Sequence, residues 1–183
     1  MKRRNTALLS LVESAMLVAM AFALSYIKFF RFPQGGAITA ASMLPLLLLG
    51  VRRGWRWGVG AALVYSGLQM LQGGLYPPPA GTPEAFVIML LLDYIIAFGV
   101  LGLSGFFHGK DSGLVYSVPV CLGLRYICHS AGGVVLWGSY AWDGFSPLAY
   151  SLTYNAAYML PEMIITYVAA MLLCRLKVDK ALL

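Results

Sequence analysis

Apolar runs of about twenty residues, separated by short polar turns, recur along almost the whole chain. At a rise of about 1.5 Å per residue, such a run is what a helix needs to cross the hydrocarbon core of a bilayer. Six runs can be drawn, at residues 7–28, 37–51, 54–75, 84–107, 113–138 and 147–175. The breaks between them carry turn chemistry: Pro33-Gln34-Gly35-Gly36, Arg52-Arg53-Gly54, Tyr76-Pro77-Pro78-Pro79, Gly109-Lys110-Asp111 and Asp143-Gly144. The second run is short, and Pro45 is expected to kink it. Hydrophobic residues make up 60% of the chain and charged ones 11%, too few to cover a soluble exterior. The fold class expected is therefore an all-α integral membrane protein, a bundle of six transmembrane helices forming a single domain over residues 1–183.

The formal charge of +6 could point to nucleic acid, but the charges sit at the ends of the runs, where topology explains them better. With both termini cytoplasmic, Lys2, Arg3, Arg4, Arg52, Arg53, Arg56, Lys110, Arg175, Lys177 and Lys180 fall on the inner side, ten of the 13 lysines and arginines. Only Lys28 and Arg31 fall outside, and Arg125 lies within a run. Lys2-Arg3-Arg4 followed by Ala21-Phe22-Ala23 mimics a secretory signal, yet the run from Ala7 to Ile27 is long enough to span and Glu13 interrupts its first half, so a retained helix is expected. Cys121, Cys128 and Cys174 lie in apolar runs without a CxxC pair, which reads as buried thiols and not as a disulfide or zinc site.

Ionisable groups inside a membrane are functional candidates by default. Tyr65, Asp93, His129 and Asn155, each from a different run, fall roughly 12–15 Å below the outer surface by helix-rise arithmetic. Four polar side chains at one depth imply a cavity in the outer half of the bundle. His129, Gly133 and Trp137 share one helical stripe, and Gly132-Gly133 removes volume beside it. Trp137, Tyr140, Trp142 and Tyr150 gather near the outer mouth, although an interfacial aromatic belt is an equal explanation for Tyr140 and Trp142. This set suits a ligand with a delocalised cation and a hydrogen-bonding edge: π faces from Trp137 and His129, and an acceptor for amino groups from Asp93. A single histidine at this level does not suit a metal ion.

Arg125 and Glu162 lie deeper, and their readings stay open: an ion pair with each other that fixes helix packing, Arg125 orienting Asp93, or a direct ligand role. Glu13 is expected to snorkel or to meet a loop arginine. Ala15, Ala19 and Ala23 recur every fourth residue and form a smooth stripe on the first helix, suited to close helix contact within the chain or with a partner.

Taken together, the stretches LRYICHSAGGVVLWGSYAWDGFSPLAYSLTYN (124–155), PQGGAITAASMLPLLLLGVRRG (33–54) and LLDYIIAFGVLGLSGFF (91–107) resemble the thiamin-specific substrate-binding subunits, or S components, of energy-coupling factor transporters. The likeness covers nearly the whole chain. It implies a vitamin pocket formed by His129, Gly133, Trp137, Tyr150 and Asn155. Asp93 stands where the family usually has glutamate, followed by the matching Tyr94, while Tyr65 and Tyr76 fall at aromatic positions. The resemblance further implies that the Ala15, Ala19, Ala23 stripe docks a transmembrane coupling subunit, and that the segment from Phe29 to Gly36 closes over substrate. Energy would come from two partner ATPase subunits, with no cofactor of the chain's own, in a bacterial plasma membrane. Asp93 is one methylene shorter than glutamate, and Gly36 and Ala40 replace larger side chains, so a related pyrimidine or thiazole precursor is an alternative ligand.

The chain has no P-loop, since its one Gly-Lys pair, Gly109-Lys110, is followed by Asp111. A different class of function, an intramembrane serine protease, would use Ser104 in Gly102-Leu103-Ser104-Gly105 with His129 as base. The two differ in depth by roughly 20 Å on the helix rise, against about 3 Å for a catalytic pair. A self-sufficient secondary transporter would call for inverted repeats and broken helices, and no convincing repeat is present.

Overall fold

The computed structural model describes residues 2–176, with side chains from Ala7 onward. Lys2, Arg3, Arg4, Lys177 and Lys180, which carry part of the charge bias, lie outside the described side chains. The molecule is mostly helical. Its helices are α1 (Lys2–Tyr26), α2 (Leu44–Arg53), α3 (Trp55–Gly73), α4 (Pro83–Phe107), α5 (Gly113–Trp137) and α6 (Pro147–Arg175). Four segments are long and apolar enough to cross a membrane: Ala7–Tyr26, Pro83–Phe107, Gly113–Tyr140 and Pro147–Arg175. Large side chains such as Leu11, Val12, Met16 and Ile164 point outward from them, a surface that lipid can cover and water cannot cheaply wet.

The run at 37–51 departs most from expectation. Residues Ala37–Thr39 form a strand, β2, that pairs antiparallel with β1 (Lys28–Arg31), so the fold is not purely helical and Lys28 lies beyond α1. The helix that follows starts at Leu44 and spans ten residues, about 15 Å, half the thickness of a hydrocarbon core. Pro45 sits in its first turn, where a missing N–H leaves no intrahelical bond unmade, so it starts the helix instead of kinking it. Leu46, Leu47 and Leu49 are fully buried. Hydropathy alone cannot tell such a central helix from one that faces lipid. The next helix, α3, has a span's length at 19 residues but mixes the polar Arg56, Ser66, Gln69 and Gln72 into its sequence.

Glycines bring α2, α3 and α4 together. A Cβ on Gly102 would overlap the backbone of Val59, and one on Gly105 would overlap that of Trp55. The sequence GLSG in α4 is thus a packing surface, with Ser104 against Gly50 of α2. At this end of the bundle Glu13 bridges Arg52 and Arg53, each at 2.5 Å, which ties α1 to the α2–α3 corner. Thr82 and Ser146 cap α4 and α6 by accepting from the N–H groups of Ala85 and Ala149, both at 3.2 Å.

Candidate ligand-binding cavity

A cavity of about 250 Å³ opens at the opposite end of the bundle, beneath the β1–β2 hairpin. Tyr65, Tyr76, Asp93, Tyr94, His129, Gly133, Trp137, Tyr150 and Asn155 all line it. They come from α3 and the loop after it, α4, α5 and α6. Arg125 lines it too, whereas Glu162 does not.

Asp93 and Tyr94 reach the cavity through a local change in the helix. Residues Leu90–Ile96 of α4 are wound as a π-turn, whose wider ring rotates the following side chains relative to an α-helix. Asp93 Oδ1 lies 3.0 Å from His129 Nδ1. His129 Nε2 is buried and has no protein partner among the described residues. Gly132 permits this approach, since a Cβ there would stand 2.9 Å from Asp93 Oδ1. Gly133 lines the cavity and also serves helix contact: a Cβ there would overlap Ser151 of α6. Tyr94 donates to the carbonyl of Gly74 at 3.3 Å.

Tyr65 and Phe98 make the floor, with ring centroids 5.4 Å apart. The guanidinium carbon of Arg125 sits 3.8 Å over the Phe98 ring. The expected ion pairing of Arg125 is not made, because no ion pair joins it to Asp93 or Glu162 among the described residues. Glu162 is taken up elsewhere: Oε2 accepts from the N–H of Thr39 at 2.5 Å and Oε1 from its hydroxyl at 2.6 Å. It anchors the end of the hairpin to α6. Asn155 lines the cavity, but its amide is largely engaged, accepting from the Tyr158 hydroxyl at 2.5 Å and donating to the Ser151 carbonyl at 2.9 Å.

The roof is the hairpin, and two of its holders were not singled out from the sequence. Tyr154 accepts from the N–H of Gln34 at 2.9 Å and donates to the carbonyl of Gly35 at 3.0 Å. Phe32 packs edge-on against Tyr154, and both Tyr154 and Tyr158 contact it at 5.7 Å. Gly36, at φ +85°, lies on the Tyr158 ring, where a Cβ would come within 2.7 Å. Tyr150, Tyr154 and Tyr158 recur every fourth residue, so this aromatic wall was readable as one helical face. Arg31, Phe32 and Gln34 belong to the segment that the resemblance implies closes over substrate, and the structure adds Lys28 to the cavity lining. Burial beside Arg31 pushes the Lys28 ammonium below its ordinary range.

Trp137 stacks on Tyr140 at 6.0 Å, and Trp142 meets Tyr150 edge-on at 5.0 Å. Neither Tyr140 nor Trp142 lines the cavity. Ser104 is also outside it, buried between α2 and α4, and so has no access to His129 for a protease reaction. On α1 the buried face is Ser14, Val18, Ala21 and Ser25, while Ala15, Ala19 and Ala23 are exposed. The stripe is therefore not used for packing within the described chain.

Residues 11–181 match the model of the thiamine transporter protein family. The chain is 37% identical to the thiamine transporter ThiT of Bacillus subtilis, with 95% of this chain and 97% of that one covered. It is 27% identical to the thiamine transporter ThiT of Lacticaseibacillus paracasei, over 91% of this chain and 87% of that protein. The fold is similar to that of ThiT from Listeria monocytogenes, with a TM-score of 0.77 at 24% identity, covering 93% of this chain and 95% of the other. The chain described here belongs to the thiamine transporter protein family.

Proposed function

We propose that this chain is the substrate-capture subunit of an energy-coupling factor importer, and that its cavity takes up thiamin from the extracellular side. The observation that carries this reading is the convergence of the Asp93–His129 pair, Trp137 and the Tyr150–Tyr154 wall on one cavity under a hairpin roof. An aromatic wall holds a delocalised thiazolium by its π faces, and a carboxylate accepts from the exocyclic amino group of the aminopyrimidine. The relatives' names as thiamine transporters support the same ligand.

Net charge does not make this site attractive to a cation. Lys28, Arg31 and Arg125 line the cavity against the single carboxylate of Asp93. Recognition therefore rests on placement: π faces for the charged ring, Asp93 for the amino group. In this reading the chain crosses the membrane six times, with the short α2 completed by the hairpin, and both termini are cytoplasmic. The Glu13–Arg52–Arg53 end is then the inner one and the cavity end the outer one, in line with the bias of lysine and arginine. The hairpin opens to admit substrate and closes through Tyr154 and Phe32. Import then requires a coupling transmembrane subunit, docked at Ala15, Ala19 and Ala23, and two ATPase subunits. Binding by itself requires neither.

Titration of the purified chain with thiamin, followed by quenching of Trp137 fluorescence, tests this directly. Asp93→Asn keeps an acceptor for His129 Nδ1 and removes the charge, so affinity should fall about tenfold or more. Unchanged affinity would refute the role of Asp93, and absence of saturable quenching by the native chain would refute thiamin.

A further inference from the structure

Arg125 sits one helical turn below His129 on α5, only 7% exposed, with its edge on the cavity floor. Its Nε and Nη1 are buried and have no hydrogen-bond partner in the protein. The ring of Phe98 offers its face to the cation but cannot accept in the guanidinium plane. The anions nearest in the fold are committed: Glu162 to Thr39, and Asp93 to His129 through Oδ1. A buried guanidinium left with open donors carries a desolvation penalty that a bound acceptor would offset.

The ligand of the proposed function decides what kind of acceptor: thiamin brings a neutral one, the lone pair of a pyrimidine ring nitrogen. An edge with an amino donor beside a ring-nitrogen lone pair satisfies Asp93 and Arg125 together.

We propose that Arg125 is a specificity-determining residue that donates to a pyrimidine ring nitrogen of the ligand while Asp93 accepts from the adjacent amino group. This assignment rests on the thiamin reading of the cavity. It makes the site a reader of donor–acceptor order on a heterocycle edge, and gives the extra positive charge in a cation's pocket a purpose.

Two thiamin analogues, each with one pyrimidine nitrogen replaced by C–H, test the inference against thiamin on the native chain and on Arg125→Met. Methionine keeps a long apolar stem over Phe98 and removes the donors. The native chain should bind one of the two analogues about tenfold or more weaker than thiamin, as expected for a lost hydrogen bond to a charged donor. Arg125→Met should bind thiamin and that analogue equally, because the partner of the missing nitrogen is already gone. Should the methionine variant not fold, Arg125→Lys, which keeps the charge without the planar fork, should likewise narrow the thiamin-to-analogue ratio. Native affinity equal for all three ligands would overturn the proposal. So would a variant that weakens all three by the same factor, since that is the signature of a packing role. Failure of the native chain to bind thiamin at all would sink the thiamin reading, and this one with it, by a result that none of the other outcomes resembles.

Discussion

Tyr154 uses one hydroxyl twice, accepting from Gln34 and donating to Gly35, and so holds the turn of the hairpin over the cavity. Removing that hydroxyl leaves the aromatic wall in place and frees the roof. Tyr154→Phe should therefore release ligand about tenfold faster with little change in association, as stopped-flow tryptophan fluorescence would record. A slower association with unchanged release would show that Tyr154 shapes the cavity and does not latch it. At this scale the sequence is informative where a residue is out of place in its run. Asp93, His129 and Arg125 stand out as polar groups among apolar ones. Tyr154 and Tyr158 do not, because tyrosines are ordinary in membrane helices, and only their four-residue spacing hints at a shared face.

Among the elements, α4 combines two irregularities with different purposes. The π-turn at Leu90–Ile96 aims Asp93 and Tyr94, while Gly102 and Gly105 near its other end admit the backbone of α3. The contact surface at Gly102 leaves no room for a side chain. Gly102→Ala should destabilise the fold by about 2 kcal/mol. The unfolding temperature in detergent should fall while the folded fraction keeps its ligand affinity, since the contact lies far from the cavity. Loss of affinity at unchanged stability would mean that this seam positions the site. Of these two features the glycines were legible as small-residue packing, whereas LLLDYII carries no mark of a π-turn.

The whole molecule has two differentiated ends and one unused face. The cavity and its hairpin occupy one end, the Glu13–Arg52–Arg53 cluster the other, and the exposed Ala15, Ala19, Ala23 stripe runs along α1. A small-residue stripe left outside the core suits close approach by another helix in lipid. Replacing Ala19 with tryptophan should leave thiamin titration unchanged and abolish uptake in cells that supply the partner subunits. Normal uptake would remove α1 as the docking surface, and lost binding would show that the stripe supports the fold itself.

Length, hydropathy and the position of charges determine that this chain enters a bilayer as a bundle of helices, because those properties act through local burial and need no knowledge of neighbours. The same holds for the candidate polar residues, whose isolation in apolar runs is a one-dimensional signal. Tertiary structure alone decided that residues 37–39 join a hairpin, that Leu44–Arg53 is the buried centre and not a full-length span, and that Glu162 holds Thr39 instead of Arg125. A buried helix and a lipid-facing one demand the same apolar side chains, and a charge finds its partner by three-dimensional proximity, which neither composition nor spacing encodes.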